Sequence, residues 1–588
     1  MTKKLSSNCS KEKSSLRNSH VARMSSQLET TPILPDQLVD EVKGIYKDIV
    51  SFNNQCDEIR KQLSQTTDGF SDEQLQALTN LHGTLLHKHY DFLMASQHPV
   101  ASAALRRLPT KHDMLERMWT HSIHSCLELL RRLLPRSIEH MISFIYLTYP
   151  MMGLLIELAP VFCEPLIRCL GDLARYRMAI EEYDMQDREN WSSAARMWYH
   201  RAADLSPTEG RIQHHLAVLA KPNVVRQLFY YTKALVSDDP FVEARGSIMY
   251  LFSPFLKKYE ATSQKHLRVE TSLVTAAGVL FTRDYVSAYC MHIDRYLLEL
   301  SGTIDRAGSS FKSQGAEMAS SLIAMMLDFG SDENFLWKAL CENSKETKKD
   351  QVEEASTSFS GLNNLEHSAT AGERHRRFWQ QDKPADARDF LQSAPPAGSR
   401  PGKFSSSNEV TSYVLPVWHK CVSIVAAKRG ARNTAPFLHY TLAFLWGLSY
   451  VPETLIYIEN FVPWEEIVRS LNAISRSGVS DEEVESPSFP QHQSGTGRQL
   501  PEDFLMRGFK WSCRHYYPPQ FFEGQVTDVD DRTLELPSHV APRAARCLWL
   551  GVRLATLDRY ITYDFEEKQF SVLPLLVMCR QSDVMDED

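Results

Sequence analysis

The stretch WSSAARMWYHRAADLSP, residues 191–207, indicates which kind of fold this chain adopts. Ala195, Tyr199 and Ala202 recur at four- and three-residue spacing, which places them on one face of a helix, and Pro207 follows. Small residues let two antiparallel helices approach closely, the aromatic ring fills the groove between them, and the proline ends the helix. The pattern is therefore typical of one helix in a packed helical hairpin.

The same pattern returns about one repeat period later, with Tyr231, Ala234 and Pro240 at nearly the same spacing. Two such matches in tandem indicate tetratricopeptide repeats, in which each helical hairpin packs on the next. Apolar residues recur at three- and four-residue spacing through most of the chain, and strand-like alternation is nearly absent. The sequence predicts an all-α fold built on a helical repeat.

Changes in composition predict the domain organisation. We expect a disordered tail over residues 1–35, a helical domain over 36–342, and a disordered linker over 343–408 that is rich in Ser, Lys, Glu, Pro and Gly. A second helical domain is expected over 409–580. A flexible loop over 476–499 interrupts it.

Bulk composition limits the possible functions. The chain has 588 residues and a formal net charge of −8, so it is not a basic nucleic-acid binder by total charge, although a local patch stays possible. Its 11 cysteines are scattered singly without a C-x-x-C pair, which disfavours a disulfide framework or a zinc site. A reducing compartment, the nucleus or the cytosol, is the expected location.

No membrane association is expected. The N-terminus lacks the apolar core of a secretory signal, and its basic, Ser-rich composition fits a disordered tail or, alternatively, a transit peptide. The apolar segment at 142–162 is long enough to span a bilayer. It contains Glu157 and is interrupted by Pro150 and Pro160, so we interpret it as two buried helices of a soluble protein.

A second short stretch, LGDLARYR at residues 170–177, ends an apolar segment with two arginines and a tyrosine. At 100° per residue, an apolar stripe forms from Leu166, Ile167, Leu170, Leu173 and Ala174. Arg175 falls on the opposite face, whereas Arg177 falls near the middle of the stripe. We therefore expect Arg177 to form a buried ion pair with a neighbouring helix, and Arg175 to be free either for an anionic ligand or for a salt bridge across the groove.

Several blocks together resemble the Ever-Shorter-Telomeres and Smg family of telomerase-associated proteins and nonsense-mediated mRNA decay factors. They are LGDLARYR, the repeat region at 191–252, and the C-terminal blocks LPEDFLMRGFKWSCRHYYPPQFF and RAARCLWLGVRLATLDRYITYD. The resemblance implies a 14-3-3-like/tetratricopeptide domain followed by a C-terminal helical-hairpin domain, described as an Est-type DNA/RNA-binding domain. Some members end in a PIN nuclease domain, but residues 555–588 are too few for an α/β domain, so we expect no nuclease here.

The resemblance also implies a phosphopeptide site. Gly171, Asp172, Arg175 and Tyr176 are similar to the pocket helix of 14-3-3 proteins, in which the Arg-Tyr pair contacts the phosphate, and the planar guanidinium suits bidentate phosphate binding. The family's second phosphate ligand is a lysine shortly after a tryptophan. The tryptophan matches Trp119, but the lysine position holds His124 in this chain.

This departure puts the strength of the site in doubt. Histidine is mostly neutral at neutral pH, so the pocket is expected to be weaker or its binding to depend on pH. Arg131 lies seven residues after His124 on the same predicted face and is a candidate for the missing positive charge. Glu128 either pairs with His124 or repels the phosphate. The alternative for His124 and Arg131 is an ordinary solvated face.

The sequence offers no catalytic motif: G-x-x-x-x-G-K-[ST], H-E-x-x-H and G-x-S-x-G are all missing. We expect neither enzyme activity nor a cofactor or metal. His214-His215 lacks further metal-ligand spacing, so a core or surface role is expected. Basic clusters at 106–107, 131–132 and 428–432 leave contact with nucleic acid open, with solvated helix ends as the alternative.

The leading hypothesis is a non-enzymatic adaptor in nonsense-mediated mRNA decay. As the resemblance implies, it would bind phosphorylated partners such as an Upf-one-like helicase through Arg175, Tyr176, His124 and Arg131, and it would act in the nucleus and cytoplasm. The first alternative is a telomerase-associated subunit that binds telomerase RNA or single-stranded telomeric DNA. The second is a tetratricopeptide scaffold without phosphate binding. A family-related heterodimer partner is a further possibility.

Overall fold

A computed structural model describes residues 33–65, 71–261, 269–345, 375, 402–490, 498–512, 516–523, 532 and 534–573. The predicted tail at 1–32, most of the predicted linker, and part of the predicted loop, at 491–497, lie outside these residues. The chain divides into two compact units, Met1–Cys169 and Leu170–Asp588. The predicted boundaries at 342 and 409 differ from this division and stay a prediction.

The described part of unit 1, residues 33–65 and 71–169, is helical. Its elements are α1 (Pro35–Gln65), α2 (Asp72–Ser96), α3 (Ala103–Lys111), α4 (Met114–Arg117), a π-helical turn (Met118–His124), α5 (Ser125–Arg132), α6 (Ile138–Leu158) and a 3-10 turn (Pro160–Phe162). Helix α2 begins with a capping box, in which the Ser71 hydroxyl accepts from the Gln74 N–H and the Gln74 side chain accepts from the Ser71 N–H. Leu78, Leu85 and Leu93 recur at helical spacing along its buried face.

Helix α6 corrects the prediction for the apolar segment at 142–162. The helix continues through Pro150 and ends at Leu158, before Pro160, so the predicted break at Pro150 is wrong. Pro150 lies on the exposed face, where water can satisfy the carbonyl that loses its helical partner. Among the described residues α6 alone is long and apolar enough to cross a bilayer, and a third of its apolar window is buried, with Leu147 and Leu154 exposed.

Helix α7 (Cys163–Ile180) leads into unit 2, which is also predominantly helical. The helices that follow are α8 (Met185–Leu205), α9 (Gly210–Leu219), α10 (Val224–Val236), α11 (Ala244–Ser247), α12 (Met249–Ala261), α13 (Val269–Phe281), α14 (Val286–Ala307), α15 (Phe311–Met326) and α16 (335–345). Beyond the predicted linker lie α17 (Ser407–Ala426), α18 (Ala435–Ser449), α19 (Pro452–Ile458), α20 (Trp464–Asn472), α21 (Asp481–Glu485), α22 (Pro501–Met506) and α23 (Val540–Ala555). The predicted all-α class is confirmed.

The residues of the repeat pattern pack between helices, as their types predict. Ala195, Tyr199 and Ala202 are at most 1% exposed on the packed face of α8. Gly210 begins α9 where the chain crosses closely, since a Cβ there would lie 2.4 Å from the Ala234 carbonyl oxygen. The Gly210 N–H donates to the Asp239 carbonyl, which ties the start of α9 to the end of the next hairpin.

The C-terminal blocks pack directly on this repeat. Gly508 has a φ of +96°, and a Cβ there would collide with the Pro207 carbonyl, so only glycine fits this crossing. The Asp238 N–H donates to the Gly508 carbonyl at 2.9 Å, and the Lys233 ammonium donates to the Leu505 carbonyl at 2.8 Å. One hydrophobic core runs from Ala217 to Phe570 across both sides of the predicted linker.

Buried ion pairs hold the C-terminal helices together. Arg543 of α23 pairs with Glu502 of α22 at 2.6 Å, and His439 of α18 lies 2.9 Å from the same carboxylate. Burial opposes ionisation of Glu502, but Arg543 and His439 together hold its pKa well below the usual range. One turn further, Arg546 pairs with Asp503 at 3.1 Å.

Two details depart from the expected helices. A two-stranded antiparallel ribbon, β1 (Ile561–Asp564) and β2 (Gln569–Val572), follows α23 where the resemblance implies helical hairpins. Tyr563 and Phe570 pack against each other across it, 4.7 Å between ring centroids. Helix α21 forms within the segment predicted as a loop at 476–499. Its Val484 side chain is completely buried, which fixes this turn of helix against the protein.

Candidate phosphate-binding site

The second half of α7 carries the residues with the strongest functional signal. The predicted apolar stripe is confirmed, since Leu170, Leu173 and Ala174 are at most 1% exposed. Gly171 lies on α7 where the Tyr199 ring of α8 packs, and a Cβ at Gly171 would lie 2.8 Å from that ring. A glycine at this position therefore brings the Tyr199 hydroxyl next to the polar residues of α7.

Arg175 belongs to a compact polar network. Its Nη2 donates to Asp172 Oδ1 at 3.1 Å and its Nε donates to the Tyr199 hydroxyl at 3.2 Å. The Tyr199 hydroxyl donates in turn to the same Asp172 oxygen at 2.7 Å. The Arg175 side chain keeps 27% of its surface exposed. The salt bridge that Arg175 forms is therefore with Asp172 on its own helix and not across the groove as predicted, and its contact across the groove is the hydrogen bond to Tyr199.

The electrostatics of this network favour the ion pair. Burial raises the pKa of Asp172, but its neighbours, with the Arg175 guanidinium and the Tyr199 hydroxyl among them, outweigh it and lower this pKa below the ordinary value. Burial and the Asp172 charge raise the pKa of Tyr199 well above its ordinary value, so its hydroxyl stays protonated and can donate.

His215 forms the wall behind Tyr199. The two rings stack with centroids 5.0 Å apart, and His215 Nε2 lies 3.9 Å from Asp172 Oδ1. Burial, reinforced by Arg175 and His214 and opposed by Asp172, lowers the pKa of His215 to about 3. The imidazole is therefore neutral at physiological pH and adds no charge to the network.

Tyr176 does not face outward as its predicted role requires. Its side chain is 6% exposed, and the Arg175 guanidinium lies over its ring at 5.3 Å. The outward orientation predicted for Tyr176 is wrong because the ring packs into the protein and supports Arg175 through a cation–π contact. Its contact with phosphate stays a prediction.

Arg177 confirms its predicted structural role. It is 6% exposed and its Nη1 and Nη2 each donate at 2.9 Å, to Glu181 and to Asp187 of the next helix. The guanidinium also lies 5.8 Å from the Trp191 ring centroid. Two arginines two residues apart on α7 thus have different surroundings, as the helical wheel predicts.

In unit 1, His124 ends the π-helical turn that also carries Trp119. The His124 side chain is exposed, and its ring centroid lies 6.2 Å from that of Trp119. Behind the turn, Ser122 is fully buried, and its hydroxyl lies 3.1 Å from Nδ1 of His89 in α2. Burial lowers the pKa of His89 to about 4, so this supporting layer is neutral at physiological pH.

Arg131 lies on the exposed face of α5. Its guanidinium pairs with Glu128 Oε2 at 2.6 Å, and 58% of the Arg131 side chain is exposed. Glu128 pairs with Arg131 in the structure, and the two roles predicted for it, pairing with His124 and repulsion of the phosphate, stay predictions. The predicted contribution of Arg131 and His124 to phosphate binding stays a prediction.

The other predicted features give weaker candidates. In the basic cluster at 428–432, the Lys428 ammonium pairs with Asp305 at 2.6 Å, while Arg429 and Arg432 are exposed. Within the described parts of the chain, no group of three or more His, Cys, Asp or Glu residues is arranged to hold a metal ion. His214 packs against Phe241 with ring centroids 5.2 Å apart, in line with the core role expected for it.

Sequence reasoning missed two members of the network around Arg175. Tyr199 is predicted as a packing residue of the repeat, and its hydroxyl proves to be a polar partner of the functional candidate. His215 is predicted only as a core or surface residue, yet it supports Tyr199 by stacking. The sequence signal for these partners is Gly171, whose small size makes room for the aromatic ring of a repeat residue. It can be interpreted only once the pairing of α7 with α8 is known.

The fold and this site together are those of an all-α helical-repeat protein in which polar groups hold a partly exposed arginine. Comparisons with known proteins show which families it is similar to. Residues 195–363 match the family model described as Est1 DNA/RNA binding domain. This match agrees with the resemblance to the Ever-Shorter-Telomeres and Smg proteins that the sequence shows.

Individual relatives match over short stretches. Telomerase-binding protein EST1A of Danio rerio is 29% identical over 112 residues, 19% of this chain and 7% of that protein. Nonsense-mediated mRNA decay factor SMG7 of Arabidopsis thaliana is 31% identical over 100 residues, 17% of this chain and 9% of that protein. Nonsense-mediated mRNA decay factor SMG5 of Danio rerio is 27% identical over 114 residues, 19% of this chain and 10% of that protein. These matches span a tenth or less of the relatives' length.

A solved structure shares the fold. The chain that matches comes from the crystal structure of Est1 and Cdc13, with a TM-score of 0.51, and the match covers 89% of this chain and 99% of that one. The sequence identity is 10%, so the match shows a common helical architecture.

Proposed function

We propose that this protein is a non-enzymatic adaptor in nonsense-mediated mRNA decay that binds phosphorylated peptides of its partners. Relatives named as nonsense-mediated mRNA decay factors support the process. The observation that carries the binding activity is the Arg175 network, which fixes a guanidinium and keeps part of it exposed. Partners of this class include a phosphorylated Upf-one-like helicase, and the proposed locations are the nucleus and cytoplasm.

The geometry gives Arg175 spare binding capacity. A guanidinium has five N–H donors, and the bonds to Asp172 and Tyr199 use Nη2 and Nε. Donors on Nη1 and the second Nη2 hydrogen are left for the exposed side, where a phosphate can accept in bidentate fashion. The Asp172 charge balances that of Arg175, so the pocket gains little net attraction from this pair alone.

Additional positive charge is therefore needed, and His124 and Arg131 are the proposed sources. Arg131 is exposed and can exchange its Glu128 partner for a dianionic phosphate. His124 is exposed at the end of the π-helical turn. Its substitution for the family lysine makes binding weaker at neutral pH than a lysine would.

Peptide binding tests the proposal. Fluorescence anisotropy is measured with phosphorylated and unphosphorylated forms of the same Ser-Gln peptides, using the wild type, Arg175→Lys and Arg469→Lys. Arg175→Lys keeps the charge and loses the planar fork, so affinity for the phosphorylated form should fall about tenfold. Arg469 is a matched control, because it also pairs with a carboxylate of its own helix, Glu465 at 2.6 Å. Equal wild-type affinity for both peptide forms would overturn the proposal.

His124 has its own test. His124→Lys should bind the phosphorylated peptide more tightly at pH 7.5, with a smaller gain at pH 6, where histidine carries more charge. The exposed His112, changed to lysine, is the control for a general increase in positive charge. If both lysine variants improve binding equally, His124 has no part in the pocket.

A telomerase-associated role is the second candidate, and the Est1 DNA/RNA binding domain match over 195–363 favours it. It requires binding of single-stranded G-rich DNA or RNA that weakens steeply with salt. Filter binding at several salt concentrations, with the exposed Arg429 and Arg432 changed to glutamate, measures this. A purified protein that leaves such oligonucleotides unbound at low salt would exclude direct contact.

A further inference from the structure

The Tyr199 hydroxyl of unit 2 is hydrogen-bonded to both Arg175 and Asp172. It is part of a side chain that is 1% exposed, and it both accepts from Arg175 Nε at 3.2 Å and donates to Asp172 Oδ1 at 2.7 Å. Arg175 Nη2 reaches the same Asp172 oxygen at 3.1 Å. The three groups therefore form a closed ring of hydrogen bonds, in which the hydroxyl orients the guanidinium by its Nε edge.

Two neighbours pack against the ring that carries this hydroxyl. Gly171 leaves space that the ring fills, since a Cβ there would lie 2.8 Å from it. The His215 ring is stacked on it at 5.0 Å with an interplanar angle of 11°. Close packing of this kind restricts the rotamers of a buried ring, so its hydroxyl acts as a fixed point for Arg175.

We propose that Tyr199 is a positioning residue for phosphate recognition, which holds the Arg175 guanidinium with its remaining donors on the exposed side. The inference rests on the proposed phosphopeptide function and assigns a recognition role to a residue of the repeat pattern. Without the hydroxyl, Arg175 keeps its charge and its bond to Asp172 but loses the restraint on its plane. A bidentate phosphate contact needs that plane, because its two N–H bonds are parallel.

The next repeat supplies a matched control. Tyr231 holds the corresponding place in the repeat pattern, is 3% exposed, and packs its ring on His214 with centroids 5.9 Å apart. Arg175 donates to Tyr199 and to Asp172. Tyr231→Phe therefore removes a buried hydroxyl from the same kind of repeat position without touching that ring of bonds.

The first experiment compares Tyr199→Phe with Tyr231→Phe in the full chain. Anisotropy with phosphorylated Ser-Gln peptides should show a loss of about threefold to tenfold for Tyr199→Phe and little change for Tyr231→Phe. Affinity for the unphosphorylated peptide should stay the same in both, so the phosphate selectivity falls only in Tyr199→Phe. An equal loss for both peptide forms would mean a general structural effect and would overturn the inference.

A double-mutant cycle distinguishes positioning of Arg175 by Tyr199 from a general structural role of Tyr199. Lysine has no Nε edge, so Tyr199→Phe should weaken phosphopeptide binding much less in the Arg175→Lys background than in the wild type. Additive losses would overturn the inference. A wild type without phosphate selectivity contradicts the proposed function itself, whereas a selective wild type matched by a selective Tyr199→Phe contradicts only the role of Tyr199.

Discussion

Two arginines of this chain share one sequence arrangement and differ in almost everything else. Arg131 pairs with Glu128 at 2.6 Å in unit 1, and Arg175 pairs with Asp172 at 3.1 Å in unit 2, each three residues after its carboxylate on a helix. The Arg131 side chain is 58% exposed, the Arg175 side chain 27%. A tyrosine hydroxyl from the next helix, that of Tyr199, joins the second pair.

The difference shows that spacing alone sets neither the strength nor the use of an ion pair. An exposed pair three residues apart contributes about 0.3–0.5 kcal/mol and competes with solvent. A half-buried pair with a fixed third partner keeps one geometry, which is what directional recognition of phosphate needs. The same local motif is thus largely exposed in one place and held in a fixed polar network in another.

The largest expected contrast comes from removing each arginine. Arg175→Met removes the less exposed of the two arginines and opens the network of Asp172 and Tyr199, and we expect the free energy of unfolding to fall by about 3 kcal/mol. Arg131→Met removes an arginine whose side chain is 58% exposed, and a change below about 1 kcal/mol is expected. Urea unfolding followed by tryptophan fluorescence measures both. Equal effects would mean that the polar network adds nothing to the Arg175 pair.

A smaller effect concerns the pH dependence of the same network. The folded-state pKa of His215, lowered to about 3 chiefly by burial, lies below the ordinary value of 6.5. Between these two pH values His215 is protonated in the unfolded chain and neutral in the folded protein. Its contribution to stability is therefore fully present above pH 6.5 and is lost as the pH falls. From pH 7 to pH 5 this histidine accounts for about 2 kcal/mol.

His215→Phe keeps the stacking on Tyr199 and removes the titrating group, so it isolates this contribution. Unfolding curves at pH 7, 6 and 5 should show a shallower loss of stability in the variant than in the wild type. The other buried histidines titrate in both proteins and cancel in the comparison. An unchanged slope would place His215 in a hydrated environment and contradict the prediction.

The smallest expected effect separates two helical glycines. A Cβ at Gly171 meets the fixed Tyr199 ring at 2.8 Å, whereas a Cβ at Gly83 of α2 meets the end of the flexible Leu147 side chain at 3.3 Å. Gly171→Ala should therefore destabilise the protein by about 1 kcal/mol and also weaken phosphopeptide binding. Gly83→Ala should be neutral or stabilising by about 0.5 kcal/mol through helix propensity. Thermal unfolding of the two variants measures the difference, and the same sign in both would be inconsistent with a crowded Gly171.

Local patterns predict the features that depend on one helix. The 3.6-residue period places Leu170, Leu173 and Ala174 in the core and assigns Arg177 to a buried ion pair, and the structure confirms both. The repeat residues Ala195 and Tyr199 are buried as expected. Helical periodicity survives folding because side-chain direction follows directly from position along the helix.

Predictions that depend on a neighbouring element are the ones that fail. The phosphate contact predicted for Tyr176 requires an outward ring, yet tertiary packing buries this ring. Pro150 predicts a break that the exposed face of α6 tolerates. Residues 561–572 form a ribbon because their strands pair with each other, a contact that helical periodicity elsewhere in the block does not reveal.

By itself the sequence determined the all-α class, the tetratricopeptide pattern, the family resemblance and the different surroundings of Arg175 and Arg177. Only the tertiary structure decided which partners Arg175 has, that Tyr199 restrains it, and that one core joins helices from both sides of the predicted linker. The physical reason is the range of the interactions. Helix formation and amphipathicity are local, whereas hydrogen bonds between helices and the close crossing at Gly508 exist only once distant segments have packed together.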